Sequence, residues 1–121
     1  MPLRIMVVDD SPVSRILITE MVREAGHQVV AEADSLKGAL EAYQANKPDV
    51  VTLDLALANE DGRAILTALR NLDRQARVVV ISGNSQSKVI DEITAAGAAG
   101  YLIKPFDQDD LLRALSRFST G

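Results

Sequence analysis

Five polar side chains stand directly after short apolar runs of the sequence, and their types suit a divalent cation and a phosphoryl group. They are Asp9 and Asp10 after residues 5–8, Asp54 after 50–53, Ser82 after 78–81, and Lys104 after 101–103. Carboxylate oxygens are ligands that Mg²⁺ prefers, an ammonium can donate to a carboxylate or to phosphoryl oxygens, and a hydroxyl can donate to an anion. The set therefore predicts a crevice that holds a cation beside a phosphoryl group.

Each of these residues also has a plainer role when it is considered alone. An aspartate such as Asp10 can cap a helix, Ser82 can satisfy a turn, and Lys104 can be a solvated surface residue. Three carboxylates at apolar strand ends, however, repel one another and are costly to bury unless a cation joins them. A metal site is thus favoured for the three aspartates, whereas the roles of the serine and the lysine stay open at this point.

The apolar runs are typical of strands that are buried on both faces of a parallel sheet. A more polar segment at 28–33 is predicted as the second of five strands, at a sheet edge, and segments with helical spacing follow all five strands. This alternation predicts a three-layer, doubly wound α/β sandwich around a five-stranded parallel sheet. Because the ligand crevice of such a sheet lies beyond the carboxyl ends of its strands, the polar residues are expected to converge there.

Local signals add detail to three segments. Ser11 and Pro12 suit the N-cap and the first position of a helix. The apolar residues that recur with helical spacing after them are Val13, Ile16, Leu17 and Met21. The bond between Lys104 and Pro105 is a candidate for a cis peptide. The only histidine, His27, is predicted to be an ordinary surface or turn residue.

Composition excludes several classes of protein. The net charge of −4 argues against nucleic acid or an anionic membrane as the main partner, and the absence of cysteine excludes disulfides and thiolate metal sites. No apolar stretch approaches the ~20 residues of a membrane span, and the amino terminus lacks a signal-peptide pattern. A single cytoplasmic domain over residues 1–121 is expected.

In this order and at these spacings, the residues resemble the receiver domain of two-component response regulators over essentially the whole chain. The matching motifs are Asp9-Asp10, Asp54, Gly62 eight residues later, Ser82 and Lys104-Pro105. The likeness is greatest to stand-alone, CheY-like chemotaxis receivers. It implies the family's strand order, 2-1-3-4-5, and a flavodoxin-like fold.

The resemblance also implies a phosphoacceptor and a metal centre. Asp54 would receive a phosphoryl group from a sensor histidine kinase or a histidine phosphotransfer protein, and Lys104 and Ser82 would bind the phosphoryl oxygens. The cofactor would be Mg²⁺, with Mn²⁺ as a substitute. Its ligands would be Asp9, Asp10, Asp54 and the main-chain carbonyl of Ala56.

For the output, the resemblance implies a two-state switch. Ser82 and Tyr101 would change position together on phosphorylation. The responding face would be formed by the fourth helix, fifth strand and fifth helix, within residues 85–118, and would contact a downstream protein. The chain would act as a monomer or as a phosphorylation-dependent dimer, with no direct contact to nucleic acid or membrane. Its only catalysis would be its own phosphotransfer and autodephosphorylation.

Three positions depart from the family's usual pattern. Ala58 replaces a proline four residues after the acceptor, which removes a rigid turn. Ala56 and Asn84 occupy positions that, in the family, tune the attack of water on the aspartyl phosphate. The lifetime of the phosphorylated state therefore stays open.

Other functions fit these residues less well. A receiver-like module that works without phosphorylation would have lost the acidic pair, the acceptor or the lysine, and all are present. A Mg²⁺-dependent phosphatase with an aspartyl nucleophile usually has a second aspartate two residues later, where this chain has Ala56. A flavin or nucleotide binder would need a glycine-rich or hydroxyl-rich phosphate loop after the first strand. Whether the chain acts alone or belongs to a larger regulator stays open.

Overall fold

The structure is a computed structural model that describes residues 2–56 and 61–118. The strands are Arg4–Val8 (β1), Gln28–Ala33 (β2), Val50–Asp54 (β3), Val78–Ser82 (β4) and Gly100–Ile103 (β5). The helices are Pro12–Glu24 (α1), Leu36–Asn46 (α2), Gly62–Leu72 (α3), Ser87–Ala95 (α4) and Gln108–Ser116 (α5). Among the described residues, no helix combines the length and the apolar character needed to cross a membrane.

The sheet has the predicted topology. Its strand order is β2-β1-β3-β4-β5, and every neighbouring pair is parallel. The polar strand β2, predicted over 28–33, has these bounds and lies at the edge, next to β1 only. The expected doubly wound α/β fold with order 2-1-3-4-5 is therefore confirmed.

Two apolar layers, one on each face of the sheet, form the core. On β1, Met6 and Val8 pack with residues of α2, α3 and α4, whereas Ile5 and Val7 pack with residues of α1 and α5. All residues of β3 and β4 are buried. Branched apolar residues thus cover both faces of the central strands, which explains why these runs show no polar alternation.

The register brings the carboxyl ends of the central strands to one edge. The last pairs at this edge are Val8–Leu53, Asp54–Ile81 and Ser82–Ile103. Neighbouring strands lie about 4.8 Å apart. The residues that end or follow β1, β3, β4 and β5 are therefore neighbours in space.

Helix α1 is present as predicted, but three of the four apolar residues whose spacing predicts it are exposed. Val13, Ile16 and Leu17 are 68%, 57% and 53% exposed. The buried side chains of the helix are Ile18, Thr19 and Val22. A helix places residues three and four positions apart on one face, and α1 has two apolar stripes with that spacing. Periodicity predicts the helix but does not decide which stripe faces the sheet.

Candidate functional site

Asp54, the last residue of β3, is a buried carboxylate with two donors. It is 3% exposed. Its Oδ1 accepts a hydrogen bond from the backbone N–H of Ala56 at 2.8 Å, and its Oδ2 accepts from the Nζ of Lys104. An isolated buried charge would be costly, so the ammonium and the N–H together allow this carboxylate to lie at the strand end. The structure therefore brings together the aspartate and the lysine, which are 50 positions apart.

Backbone hydrogen bonds continue the sheet past its last register pairs and place these residues. The N–H of Leu55 donates to the carbonyl of Ile81 at 3.0 Å, and the N–H of Lys104 donates to the carbonyl of Ser82 at 2.9 Å. The Lys104–Pro105 bond, predicted as a candidate for the cis form, is cis. The lysine backbone is thus tied to β4 while its side chain reaches across to β3.

Leu55, the residue directly after β3, lies close to the first residue of α3. A Cβ atom added at Gly62 would lie 2.7 Å from the Cα of Leu55, a contact that real side chains do not make. The side chain of Asp61 caps α3 by accepting from the N–H of Arg63 at 2.9 Å. Only glycine allows this approach beside the acceptor strand. The departure at Ala58 lies outside the described residues.

Asp9, which follows β1, is 1% exposed and is held by α1. Its Oδ1 accepts from the N–H of Ser11 at 2.9 Å, and its Oδ2 accepts from the hydroxyl of Ser14. Its backbone N–H donates to the carbonyl of Ala33 at 3.0 Å, and its carbonyl accepts from Arg15 at 2.8 Å. Every polar group of this aspartate is therefore directed by a partner on a neighbouring element.

The three aspartates do not form a ready-made metal cluster. Within residues 2–56 and 61–118, no group of three or more His, Cys, Asp or Glu side chains is close enough to hold an ion. Asp9 is turned toward α1 and Asp54 toward Lys104, while Asp10 is half-buried. The expected convergence thus holds for the strand ends and not for the carboxylate groups.

The donor set nevertheless fits Mg²⁺. Asp9 directly follows Val8, which pairs with Leu53, so it stands beside Asp54 on the adjacent strand. Both carboxylates are buried and offer only oxygen atoms, the chemistry that hard divalent cations require. The backbone positions of Asp9 and Asp54 are thus adjacent, as a shared cation requires.

Ser82 and Tyr101 are both bonded to Asn84, in the loop after β4. The buried Ser82 accepts from the N–H of Asn84 at 3.1 Å. The half-buried Tyr101 donates its hydroxyl to the carbonyl of Asn84 at 2.8 Å. The backbone of one loop residue therefore connects the serine at the site to the tyrosine on β5.

An apolar groove of about 580 Å³ lies beside this site. It is lined mainly by Val13, Leu17, Met21, Pro105 and Phe106, from α1 and the segment after β5. Ser11, Ser14 and Lys104 also line the groove. The exposed stripe of α1, formed in this groove by Val13 and Leu17, is thus continuous with the residues that bond to the two aspartates. These residues are Ser11 and Ser14 for Asp9, and Lys104 for Asp54.

Sequence reasoning missed Ser14 and Arg15 as neighbours of the site. Both are in the first turn or two of α1, and helical spacing from Ser11 could have indicated that they face the end of β1. Arg15 also pairs with Glu32 of β2 at 3.2 Å, so it joins the acidic strand end to the sheet edge.

The titratable groups with shifted pKa values lie outside this set. Burial and the hydrogen bond to Asp73 raise the pKa of Tyr43 to about 12. Burial lowers the pKa of His27, whose Nδ1 accepts from the N–H of Leu3 at 2.9 Å. The histidine is thus half-buried and bonded to the start of the chain, and is more than an ordinary surface residue.

Comparison with known proteins gives one family. The model described as "Response regulator receiver domain" matches residues 5–116. The chain is 34% identical over 114 residues to the chemotaxis protein CheY of Bacillus subtilis (strain 168), covering 94% of this chain and 95% of that protein. It is 31% identical over 115 residues to sporulation initiation phosphotransferase F of the same strain, covering 95% and 92%.

A solved structure agrees in fold over nearly the whole chain. A chain from the crystal structure of the CheX-CheY-BeF3-Mg+2 complex of Borrelia burgdorferi superposes with a TM-score of 0.91 at 26% identity. The match covers 99% of this chain and 92% of that one. Together with the family match over residues 5–116, this establishes that the chain belongs to the response regulator receiver domain family, as the motifs predicted.

Proposed function

We propose that the chain is a phosphorylation-switched receiver in which Asp54 accepts a phosphoryl group. The observation that carries this proposal is the buried carboxylate at the end of β3, bonded to the Nζ of Lys104 and to the N–H of Ala56. A carboxylate in this setting is a positioned nucleophile with the ammonium of Lys104 beside it. Phosphoryl transfer depends mainly on such positioning and on neutralisation of charge.

In the transfer, an oxygen of Asp54 forms a bond to phosphorus while the bond from phosphorus to the donor's nitrogen breaks. The proton that the leaving imidazole requires comes from the donor side or from solvent. Lys104 already contacts the carboxylate and is placed to follow the charge onto the phosphoryl oxygens. Ser82 lies on the neighbouring strand end and can donate its hydroxyl to one of them.

The metal proposed for this site is Mg²⁺, which would neutralise phosphoryl charge and orient the incoming group. The residues that would hold it are Asp9, Asp10, Asp54 and the carbonyl of Ala56. The two buried carboxylates supply the oxygen ligands that such a cation needs. Mn²⁺, which takes similar ligands, would be a substitute.

The phosphodonor is proposed to be a sensor histidine kinase or a histidine phosphotransfer protein that docks on the α1 groove. A donor must reach Asp54 from outside, and the exposed Leu17 and Val13 line a groove that also includes Lys104. A relative that matches 95% of this chain is itself named a phosphotransferase. Apolar contact on α1 would hold the donor while its phosphohistidine reaches the strand end.

The proposed output surface is the face of α4, β5 and α5. Tyr101 of β5 is bonded to the carbonyl of Asn84, and Asn84 is bonded to Ser82. If Ser82 turns to a phosphoryl oxygen, the loop that Tyr101 contacts loses one of its bonds. The relative populations of the two conformations of the tyrosine and the face around it would then change. The affinity of this face for a downstream protein would change with them.

The chain would be a cytoplasmic signalling domain, either monomeric or dimeric on phosphorylation, and not a turnover enzyme. Residues 1–121 would act as one receiver unit. The alternative enzyme, an aspartyl phosphatase, would need an acid–base group where Ala56 stands. Sustained release of phosphate from a simple phosphoester would favour that alternative.

Intact-mass measurement after incubation with acetyl phosphate and Mg²⁺ tests the proposed acceptor. Wild type is expected to gain one phosphoryl group, and Asp54→Asn is expected to gain none. Asp91→Asn, which changes an exposed aspartate of α4, is the matched control and should be modified like wild type. An unmodified wild type, or an Asp54→Asn variant modified to the same extent, would contradict the proposal.

A further inference from the structure

We propose that the chain binds the diphosphate group of a small molecule in a cationic cleft at the amino-terminal edge of the sheet. The cleft has a volume of about 690 Å³ and is formed by the segments that lead into β3, β4 and β5, together with the end of α3. The five positions from Asp49, in the cleft, to Asp54 span roughly 16 Å of extended chain. The cleft is therefore separate from the proposed phosphoacceptor, and the inference does not depend on it.

Positive side chains dominate the lining of this cleft. Its cations are Lys47, Arg70, Arg74 and Arg77, and its carboxylates are Asp49 and Asp73. The cleft thus has two more positive than negative side chains, although the net charge of the whole chain is −4. Positive charge that is concentrated in one cleft of an acidic chain attracts an anion to that cleft.

The two carboxylates of the cleft are bonded to neutral donors and not to these cations. Oδ2 of Asp49 accepts from the N–H of Arg4 at 2.8 Å. Asp73 accepts from the N–H of Gln75 at 2.9 Å and from the hydroxyl of Tyr43 at 2.8 Å. In the part of the chain that the structure describes, none of the four cations forms a salt bridge. Their charges are therefore available to a ligand.

Arg70 is held as a fixed part of the cleft. Its Nη1 donates to the carbonyl of Arg74 and, at 3.0 Å, to the carbonyl of Ala76. A Cβ atom added at Gly97, where φ is +107°, would lie 2.7 Å from its Nε, so the guanidinium rests against a residue without a side chain. Nε and Nη2 keep their N–H donors, which bond to none of the described residues. A guanidinium that is held in this way is preorganised to bind phosphate oxygens.

Lys47 occupies a backbone position that favours glycine. It is the C-cap of α2, with φ 44° and ψ 64°, and among the described residues no other side-chain-bearing residue has a positive φ. Glycine is the usual residue in this left-handed conformation, and other residues that are held there concentrate at functional sites. Lysine at this cap supplies the cleft with an ammonium that glycine would lack.

The cations and the size of the cleft together favour a diphosphate. Each guanidinium can bind two phosphate oxygens at once, so three arginines and a lysine exceed what a single phosphate needs. The volume is within the range of small-ligand sites, and it leaves space for the remainder of a molecule such as a nucleoside diphosphate.

Isothermal titration calorimetry with inorganic pyrophosphate tests the proposal, in EDTA and without a phosphodonor so that Asp54 stays unmodified. Wild type is expected to bind pyrophosphate more tightly than inorganic phosphate. R74Q and K47G should each raise the dissociation constant about three- to tenfold, the effect of one charged contact at an exposed site. K47G should unfold at the urea concentration of wild type or above it, because glycine suits this backbone position. Weaker binding by K47G would then not reflect a loss of fold.

R23Q and K37Q are the matched controls, because they remove exposed cations of α1 and α2 that lie outside the cleft. Both should bind pyrophosphate like wild type. ADP, titrated in the same way, distinguishes the two sources of a diphosphate. Tighter binding of ADP than of pyrophosphate would identify the nucleoside as part of the ligand, and equal or weaker binding would identify the diphosphate alone.

The contrary outcomes are equally distinct. A wild type that binds no pyrophosphate would overturn the inference and leave the proposed phosphoacceptor unaffected. Equal weakening in the controls and in the cleft variants would show a general effect of charge and no site. In amide NMR spectra, pyrophosphate should shift signals of residues 73–77 and 97–99. Shifts confined to the residues around Lys104 would place the anion at the opposite edge of the sheet and refute the cleft.

Discussion

The ammonium of Lys104 is bonded to Oδ2 of Asp54, and this pair joins the two strand ends that the sequence separates by 50 positions. The side chain of Asp54 is 4% exposed, whereas that of Lys104 is 35% exposed. The pair is therefore asymmetric. The buried Asp54 carboxylate depends on the ammonium to offset the cost of its buried negative charge. The more exposed lysine can also move toward negative charge that develops beyond the carboxylate.

This asymmetry predicts that Lys104→Met is destabilising. It leaves the Asp54 carboxylate buried with only the Ala56 N–H as a donor, and we expect a loss of about 1–2 kcal/mol in the free energy of unfolding. The figure is below the full cost of breaking a buried pair because the lysine is partly solvated. Urea unfolding at neutral pH measures it.

The double variant Asp54→Asn/Lys104→Met is the control for that prediction. An amide at position 54 carries no charge, so removal of the lysine should then cost much less, and the double-mutant cycle should give a coupling energy of about 1 kcal/mol. Equal costs of Lys104→Met in both backgrounds would show that the pair contributes nothing to stability.

The exposed stripe of α1 predicts a difference between two kinds of phosphodonor. Leu17→Glu places a charge in the apolar groove beside the site, and transfer from a phosphohistidine protein is expected to slow about tenfold or more, since burial of a leucine contributes roughly 1.5–3 kcal/mol. Modification by acetyl phosphate needs no docking surface and should be unchanged. Rates of labelling with both donors measure the effect.

Leu72→Glu is the matched control because Leu72 is an equally apolar residue, 40% exposed, on α3 and outside the groove. It should leave both rates near wild type. If Leu17→Glu slows both donors equally, the substitution has disturbed the site itself, and docking on α1 is not supported.

Much of this site follows from strand chemistry that sequence alone reveals. Apart from Thr52, the runs before Asp54 and Ser82 are apolar because both faces of β3 and β4 are covered. Once parallel pairing is inferred, the residues after those runs must lie at one edge. The resemblance then added the family strand order and the residue roles, and the structure confirmed the order.

What sequence could not predict depends on rotations about helix and side-chain axes. Ile18 rather than Leu17 faces the sheet, although both belong to apolar stripes of α1. The bond from Ser14 to Asp9 requires this same rotation of the helix. Nothing in the spacing of aspartates indicates that Asp9 turns to α1, because that orientation is set by donors on the helix.

The close approach of α3 to Leu55 predicts a cost for any side chain at Gly62. A Cβ there would lie 2.7 Å from the Cα of Leu55 and 3.1 Å from its carbonyl oxygen, so the backbone next to Asp54 would have to move. We expect Gly62→Ala to lower the free energy of unfolding by about 1–3 kcal/mol, as overpacking typically does. Gly83→Ala is the control, because a Cβ at Gly83 meets no atom within 4 Å. Urea unfolding of both variants should show a loss for Gly62→Ala alone, and equal losses would refute the steric explanation.

His27 predicts a pH dependence of stability, because its Nδ1 can accept from the N–H of Leu3 only when it carries no proton. Burial lowers the pKa of His27 in the folded state below its ordinary value of about 6.5. The unfolded chain therefore takes up the proton first as pH falls, and the contribution of this bond is present above the unfolded pKa and lost as pH falls through the folded pKa.

His27→Asn keeps an acceptor and removes the titration. Between pH ~7.5 and pH ~5.5, we expect wild type to lose up to about 1 kcal/mol more than His27→Asn in urea unfolding, the usual net worth of one hydrogen bond. Since His27 is the only histidine of the chain, parallel curves for the two proteins over this interval would show that its protonation does not affect folding.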